Sequence, residues 1–150
     1  MNHVSKLQAS DRERWGRLWS EYLEFYDTSL PNQVYENTWS RIMAESSDLR
    51  AFGALSSDGD ARLVGIAHFL YYESAWTMHE VCYLQDLYVD PAHRGRGFGR
   101  RLIEAVAEAA RLRSCDKLYW LTHESNAAAR SLYDAVAHYS GFVRYDLALA

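Results

Sequence analysis

Apolar residues along the chain alternate between two rhythms, and the changes of rhythm mark out the elements. Over residues 11–25, Trp15, Leu18, Trp19, Tyr22 and then Phe25 or Tyr26 recur at the i, i+3, i+4, i+7 spacing of an amphipathic helix, with Ser10 or Asp11 placed to cap it. Residues 34–44 predict a second, shorter helix. Residues 49–56 and 63–72 are rich in strand formers and flank Ser57-Asp58-Gly59-Asp60, a turn signal, which predicts an antiparallel hairpin. The pattern then predicts a strand over 84–89, a long helix over 98–113, a strand over 117–122, a helix over 126–139 and a final strand over 142–149. The strand–helix–strand unit at 84–122 implies a mixed α/β fold whose sheet is parallel at that point and antiparallel elsewhere.

No linker, repeat or low-complexity tract interrupts the 150 residues, so a single domain over 1–150 is expected. A hydrophobic content of 49% with 14% aromatic residues excludes a disordered chain. The longest apolar runs fall far short of the roughly 20 residues a membrane helix needs. Met1-Asn2-His3-Val4-Ser5-Lys6 has no apolar core of a signal peptide, so a cytoplasmic protein with no membrane partner is expected. Cys82 and Cys115 sit in apolar, strand-like runs without metal spacing, which favours reduced thiols over a disulfide or a metal site. A formal net charge of −4 gives no reason to expect nucleic acid and leans toward a cationic partner.

The chemistry concentrates in Arg94-Gly95-Arg96-Gly97-Phe98-Gly99-Arg100-Arg101, between the predicted strand 84–89 and the helix that follows. Glycine lets main-chain N–H groups approach an anion, the first helical turn leaves its N–H groups unpaired, and guanidinium groups add forked, charged donors. A nucleotide P-loop would need Lys and Ser or Thr after its last glycine, and the chain has Arg100-Arg101. A dinucleotide fingerprint beginning at Gly97 would place Leu102 where a small residue is needed. What remains is Arg-x-x-Gly-x-Gly. This resembles the loop with which the GNAT superfamily of N-acetyltransferases grips the pyrophosphate of acetyl-coenzyme A. Upstream, Tyr83-Leu84-Gln85-Asp86-Leu87-Tyr88-Val89-Asp90-Pro91 is similar to that family's fourth strand. Downstream, Asn126, Arg130, Leu132, Tyr133 and Gly141-Phe142 resemble its last helix and closing strand.

The resemblance implies a mixed central sheet of six to seven strands with about four helices, its fourth and fifth strands splayed so that pantetheine enters the wedge. It implies acetyl-CoA as cofactor, bound by Arg94, Gly95, Arg96, Gly97, Phe98, Gly99 and Arg100 at the pyrophosphate. The main chain of Leu87, Tyr88 and Val89 would line pantetheine and offer an N–H to the developing oxyanion. Asn126 caps its helix, bonds the pantetheine arm, or does both. Tyr133 matches the tyrosine that stands beside the coenzyme sulfur and would protonate the departing thiolate.

Acetyl transfer also needs a neutral amine, and an alkylamine is almost wholly protonated near neutrality. Here the chain departs from the diamine acetyltransferases it otherwise resembles, because Gln85 stands where they carry Glu, and an amide is no base. Asp86, Glu80, a water chain or solvent would then take the proton. Strand alternation puts Asp86 on the face opposite Gln85, where it serves as base, as an amine-binding carboxylate or as a structural one. Trp76 matches an aromatic of the diamine enzymes and either attracts the ammonium or covers the sheet end. Tyr26, with Tyr22 and Glu24, would line the amine entrance. His93 and His123 read as polar loop residues. The segment 134–142 adds a helical turn, similar to a subgroup whose members dimerise through the C-terminal strand region, so a homodimer is expected. The function implied is acetyl transfer to a small cationic amine by direct attack in a ternary complex. A protein lysine or N-terminal acetyltransferase and a non-catalytic coenzyme A sensor are the rivals.

Overall fold

The computed structural model describes residues 3–59 and 61–149, so Asp60 of the expected hairpin turn, like Met1, Asn2 and Ala150, lies outside the described residues. In chain order the elements are β1 (His3–Lys6), α1 (Arg12–Phe25), α2 (Asn32–Met43), β2 (Arg50–Ser56), β3 (Arg62–Tyr72), β4 (Val81–Val89), α3 (Phe98–Leu112), β5 (Leu118–Trp120) and α4 (Ala127–Val136). The strands form one sheet in the order β1-β2-β3-β4-β5, antiparallel throughout except for the parallel pair β4 and β5.

Five strands form among the described residues, rather than six or seven. β1 carries too little apolar alternation to be read from its own residues; it is held by pairing with Phe52–Leu55 of β2. The expected strand at 142–149 does not form. That segment pairs with nothing in the sheet, and its apolar side chains stand in solvent, Phe142 at 74%, Tyr145 at 90% and Leu149 at 88% exposure.

Each face of the sheet carries its own apolar cluster. On one face Phe98, Leu102, Val106 and Ala110 of α3 recur at helical spacing and pack on Ala54, Val64, Phe69 and Leu84, with Leu132, Tyr133 and Val136 of α4 against the same cluster. On the other, Trp15, Leu18, Trp19 and Leu23 of α1 pack on Leu63, Ile66 and Tyr88, and α2 closes over them with Tyr35, Trp39 and Ile42. Phe25 is exposed, so the apolar stripe of α1 turns inward through Leu23 rather than Phe25. Gly65 lets α3 come close to the sheet: a Cβ there would lie 3.1 Å from Leu102 Cδ1 and 3.2 Å from the Tyr88 carbonyl oxygen.

One irregularity in β4 decides where the side chains go. Phe69 of β3 pairs with Leu84 and His68 pairs with Asp86, which leaves Gln85 without a partner. This is a β-bulge. Before it, Cys82 and Leu84 face α3; after it, Leu87 packs on that same α3-side cluster while Tyr88 joins the α1-side cluster. The strict alternation expected between Gln85 and Asp86 is therefore interrupted. β5 pairs with β4 only at Cys82–Leu118, Tyr83–Tyr119 and Leu84–Trp120, so the two strands part company where the bulge begins.

No described helix is long and apolar enough to cross a membrane. Cys82 and Cys115 are free thiols, and burial, then the neighbouring Cys115, pushes the Cys82 thiol up to about 12.

Leu102, fully buried between α3 and the sheet, should be among the most costly positions to truncate. Leu102→Ala is expected to lower the unfolding free energy by about 2–5 kcal/mol, read as a drop in the urea midpoint at unchanged slope. A midpoint within error of the parent would mean that α3 does not pack as described.

Candidate active site

The loop between β4 and α3 is shaped for an anion. Asp90 Oδ1 accepts from the Ala92 N–H at 3.0 Å and Asp90 Oδ2 accepts from Arg14 at 2.7 Å, which ties the end of β4 to α1. Gly95 at φ 76° and Gly97 at φ 85° then take the left-handed conformation, and Gly97 becomes the residue that opens α3. Arg101 is the first to bond back, to the Gly97 carbonyl at 3.1 Å. The N–H groups of Phe98, Gly99 and Arg100 are therefore without intrahelical acceptors at the positive end of the helix. Nothing would meet a side chain at Gly95, so the loop is open on that side.

The arginines frame this opening in different ways. Arg96 reaches the Asp58 carboxylate at 2.6 Å, and that hydrogen bond, with the guanidinium charge behind it, holds the Asp58 carboxyl below its ordinary range. Arg94 donates through Nε to the Val89 carbonyl at 3.0 Å and lies over the Tyr88 ring at 5.4 Å. Arg101 bonds the Arg96 carbonyl at 3.2 Å. Arg100 is exposed and makes no ion pair among the described residues. Open N–H groups, two left-handed glycines and unspent guanidinium donors together fit a diphosphate.

Beyond the bulge, residues 86–89 of β4 have no strand on the side where β5 lay, so the wedge between the two strands opens next to this loop. α4 lies beyond the wedge. Asn126 caps it, its Oδ1 accepting from the Ala129 N–H at 3.4 Å while Nδ2 donates to the Thr122 hydroxyl at 3.3 Å. Further along α4, Leu132 lies close enough to Gly99 that a Cβ there would meet it at 3.5 Å. Tyr133 packs edge-on to Trp120 at 5.4 Å. Burial, then the nearby Tyr26, pushes its phenol up to about 12, so it keeps its proton and remains a donor across the neutral range.

On the α1 side of β4 a second cluster gathers. Asp86 faces His68 of β3, with its Oδ2 2.9 Å from His68 Nδ1, and the far ring nitrogen, Nε2, accepts from Trp15 Nε1–H at 2.9 Å. Tyr22 stands beside the Asp86 carboxylate; burial first, and that carboxylate second, push its phenol well above the ordinary value. Tyr22 stacks on Trp19 at 5.1 Å and meets Tyr26 edge-on at 5.0 Å. Tyr26 in turn stacks on His123 at 5.0 Å, so an aromatic wall runs from α1 to the end of β5. The electrostatic contact of Tyr26 with Tyr133 joins the wall to the wedge.

The fold thus brings Asp86, Tyr26, Tyr133, Asn126 and the 94–100 loop to one end of β4, with Leu87, Tyr88 and Val89 between them. It does not bring Trp76 there. Trp76 lies in the β3–β4 connection, 79% exposed, with the Lys117 ammonium 5.8 Å from its ring. Asp86 lies five residues into β4 from its first residue, Val81, which puts it on the order of 15 Å from the end of the strand that the Trp76 connection enters. Glu80 is equally remote as a base, being paired to Arg113 at 3.0 Å. Gln85 is exposed at the bulge. Sequence reasoning missed His68 entirely and read His123 as a plain loop residue. The available signal was a single histidine inside the apolar run Leu63-Val64-Gly65-Ile66-Ala67-His68-Phe69, facing a tryptophan-rich helix.

Residues 12–139 match the Acetyltransferase (GNAT) family. D-amino-acid N-acetyltransferase HPA3 of Saccharomyces cerevisiae is 37% identical over 145 residues, covering 95% of this chain and 88% of that protein. Thialysine N-epsilon-acetyltransferase of Bos taurus is 34% identical over 85 residues, which is 55% of this chain and 49% of that protein. The solved structure of aminoglycoside N-acetyltransferase AAC(6')-Iy in complex with CoA superposes with a TM-score of 0.84 over 100% of this chain and 96% of that chain, at 18% identity. A ribosomal-protein-alanine N-acetyltransferase of Brucella melitensis gives a TM-score of 0.79 at 22% identity, over 99% of this chain and 100% of that one. At such identities the likeness is one of fold.

The left-handed geometry at Gly97 makes Gly97→Ala informative: the methyl group strains the turn by about 1–2 kcal/mol and tilts the N–H groups away from the anion. The KM for acetyl-CoA should rise on the order of tenfold, with kcat much less affected; an unchanged KM in a folded variant would remove this loop from the cofactor site. The buried tyrosines make a separate prediction about pH. The folded-state pKa values of Tyr22 and Tyr133 lie above the unfolded value near 10. Stability should therefore hold below about pH 10 and fall as pH rises toward 12, where the unfolded chain ionises first. Tyr133→Phe should flatten that decline in alkaline denaturation curves, and an equally steep decline in the variant would mean that its phenol is not buried.

Proposed function

The chain belongs to the acetyltransferase (GNAT) family and is an acetyl-CoA-dependent N-acetyltransferase; from that premise we propose that its acceptor is the primary amine of a small cation, a polyamine, diamine or lysine-like molecule. The observation that carries this reading is the Asp86 carboxylate, largely buried beside Tyr22 and His68 and close to the aromatic wall that leads to Tyr133. A carboxylate framed by aromatic faces attracts an alkylammonium and repels an anionic acceptor. The cofactor supplies an acetyl group activated as a thioester.

The chain's own residues would divide the work as follows. The N–H groups opening α3, with Gly95, Gly97, Arg96 and Arg100, hold the diphosphate. The free edge of β4 at Leu87–Val89 orients the pantetheine arm and directs an N–H to the acetyl oxygen, where negative charge develops during attack. Asn126 holds the start of α4, which sets Tyr133 to donate its proton toward the departing sulfur. Asp86 holds the amine at the open mouth of the wedge, so that attack is direct within a ternary complex. With Gln85 as an amide, the amine loses its proton to Asp86 or to solvent. A cytoplasmic setting agrees with two free thiols and no ordered disulfide.

We also propose that two copies associate through the exposed C-terminal segment. Val143, Tyr145 and Leu147, each at least 73% exposed, alternate along it, and the three-residue edge strand β5 has no outer partner among the described residues. The name of one relative, thialysine N-epsilon-acetyltransferase, is compatible with this choice of acceptor, since thialysine carries a primary alkylamine; that of the D-amino-acid N-acetyltransferase points to amino acids as the acceptors to compare with it.

Free coenzyme A released over a panel of polyamines, diamines, lysine-like and D-amino acids and lysine peptides tests the acceptor. Highest kcat/KM on a small cationic amine supports the reading, a preference for peptides replaces it with protein acetylation, and binding of acetyl-CoA without release on any amine points to a sensor. Gln85→Glu should raise kcat/KM for the amine below about pH 8, where nearly all alkylamine is protonated; a loss at every pH would assign Gln85 to positioning. Tyr133→Phe should lower kcat by about a hundredfold with little change in acetyl-CoA affinity, and full kcat with chemistry rate-limiting would leave Tyr133 as a packing residue.

A further inference from the structure

Beneath Asp86 lies a chain of hydrogen bonds whose direction is fixed by its first member. An indole nitrogen only donates, so Trp15 Nε1–H, fully buried, obliges His68 Nε2 to accept. The neutral ring then carries its proton on Nδ1, and that N–H donates to Asp86 Oδ2. His68 is 1% exposed and is packed against Trp15 at 5.9 Å and edge-on against Trp19 at 4.9 Å, so a ring flip would have to displace buried aromatics. A second proton on Nε2 would face the indole N–H, donor against donor, in a site closed to solvent. The ring is therefore unsuited to shuttle protons, and its two nitrogens are spent on orientation.

The bulge is what makes the contact. Had β4 stayed regular after Leu84, His68 would sit opposite Gln85; with Gln85 unpaired, Asp86 takes that place. We propose that His68, locked by Trp15 as the Nδ1–H tautomer, is a positioning residue that fixes Asp86 Oδ2 and leaves the other carboxylate oxygen as the anchor for the acceptor's ammonium. This deepens the acetyl-transfer reading and rests on it for its kinetic arm. The carboxylate enters the complex already restricted to one rotamer, so the acceptor does not bear the cost of ordering it. The direction of the bonds also keeps Asp86 an acceptor toward the protein, and the lone pairs not used by His68 and Tyr22 are left for a cation.

Two measurements test this. Nitrogen–proton correlation spectra of the unliganded protein should assign His68 to the Nδ1–H tautomer, and Trp15→Phe, which keeps the packing ring and removes the donor, should release that lock. An Nε2–H tautomer in the parent protein overturns the proposal without any variant. In steady-state kinetics, His68→Ala should raise the KM for the amine between about tenfold and a hundredfold while the KM for acetyl-CoA is unchanged. His68→Asn, whose amide N–H can reach Asp86 from nearly the same place, should recover part of the loss. His68→Ala should cost little more once Asp86→Asn is present, because both act through one carboxylate. Independent, additive losses, or an amine KM that does not move, would overturn the assignment. A wild-type protein that turns over no amine would instead overturn the acetyl-transfer reading. Amine binding to the coenzyme A complex by calorimetry would then decide the positioning role, a His68→Ala loss sustaining it and no amine binding or no loss ending it.

Discussion

The bulge at Gln85 does more than bend a strand. Because Leu84 pairs with Phe69 and the next pairing is His68 with Asp86, the side chains beyond it exchange faces, and the parallel pairing with Trp120 ends at the same point. Main-chain N–H and C=O groups in a sheet interior normally find a neighbouring strand, and groups left unpaired away from water are costly. Residues 86–89 tolerate an open edge only because it faces a cleft where a ligand's amides or water can satisfy it. One extra residue thus supplies the cleft, its hydrogen-bonding wall and the carboxylate at its mouth.

Helix α1 makes that arrangement rigid. Its buried stripe, Trp15, Leu18, Trp19 and Leu23, is ordinary core on the sheet side, yet Trp15 also fixes His68, and Tyr22 and Tyr26 continue the same face out to His123. Arg14 secures the helix from the other side by bonding the Leu63 carbonyl at 2.9 Å and the Asp90 carboxylate at 2.7 Å. The helix cannot slide along the sheet without breaking a partly buried charged pair and the buried indole–imidazole bond together. Packing and candidate chemistry here share the same atoms, so the acceptor end of the cleft is as ordered as the core beneath it.

What could be read from the sequence was what local physics dictates. The glycine and arginine loop announces itself because left-handed backbone and an open helix N-terminus need particular residues at particular places, as Gly95 and Gly97 confirm by their geometry. The stripe of α1 was legible from its period, and Asn126 from its capping position. The partner of His68 was not legible, since a one-residue offset in strand pairing depends on contacts across the sheet and leaves no mark on the run Tyr83–Val89 itself. The segment 142–149 has the alternation of a strand, but a strand needs a neighbour as well as a pattern, and no strand pairs with it among the described residues. Trp76 was read either as an aromatic for the ammonium, by resemblance, or as cover for the sheet end, and chain geometry puts it in the connection that enters the opposite end of β4 from Asp86.

The two ligands implied for this cleft carry opposite charge, and a single stretch of β4 separates where each would lie. Toward α3 the chain offers main-chain N–H groups and guanidinium; toward α1 it offers the carboxylate of Asp86 and aromatic faces. Arg94 stands at the boundary, its Nε committed to the Val89 carbonyl and its plane over Tyr88, whose hydroxyl is bonded to Glu21 at 3.1 Å. A guanidinium held in this way has its Nε and one ring contact engaged, and Arg94 makes no ion pair with Asp86 among the described residues. The net charge of −4 does not predict this polarity. The polarity comes from backbone direction: the dipole of α3 points its positive end into the cleft, while the bulge turns one acidic side chain to the other side of the same strand.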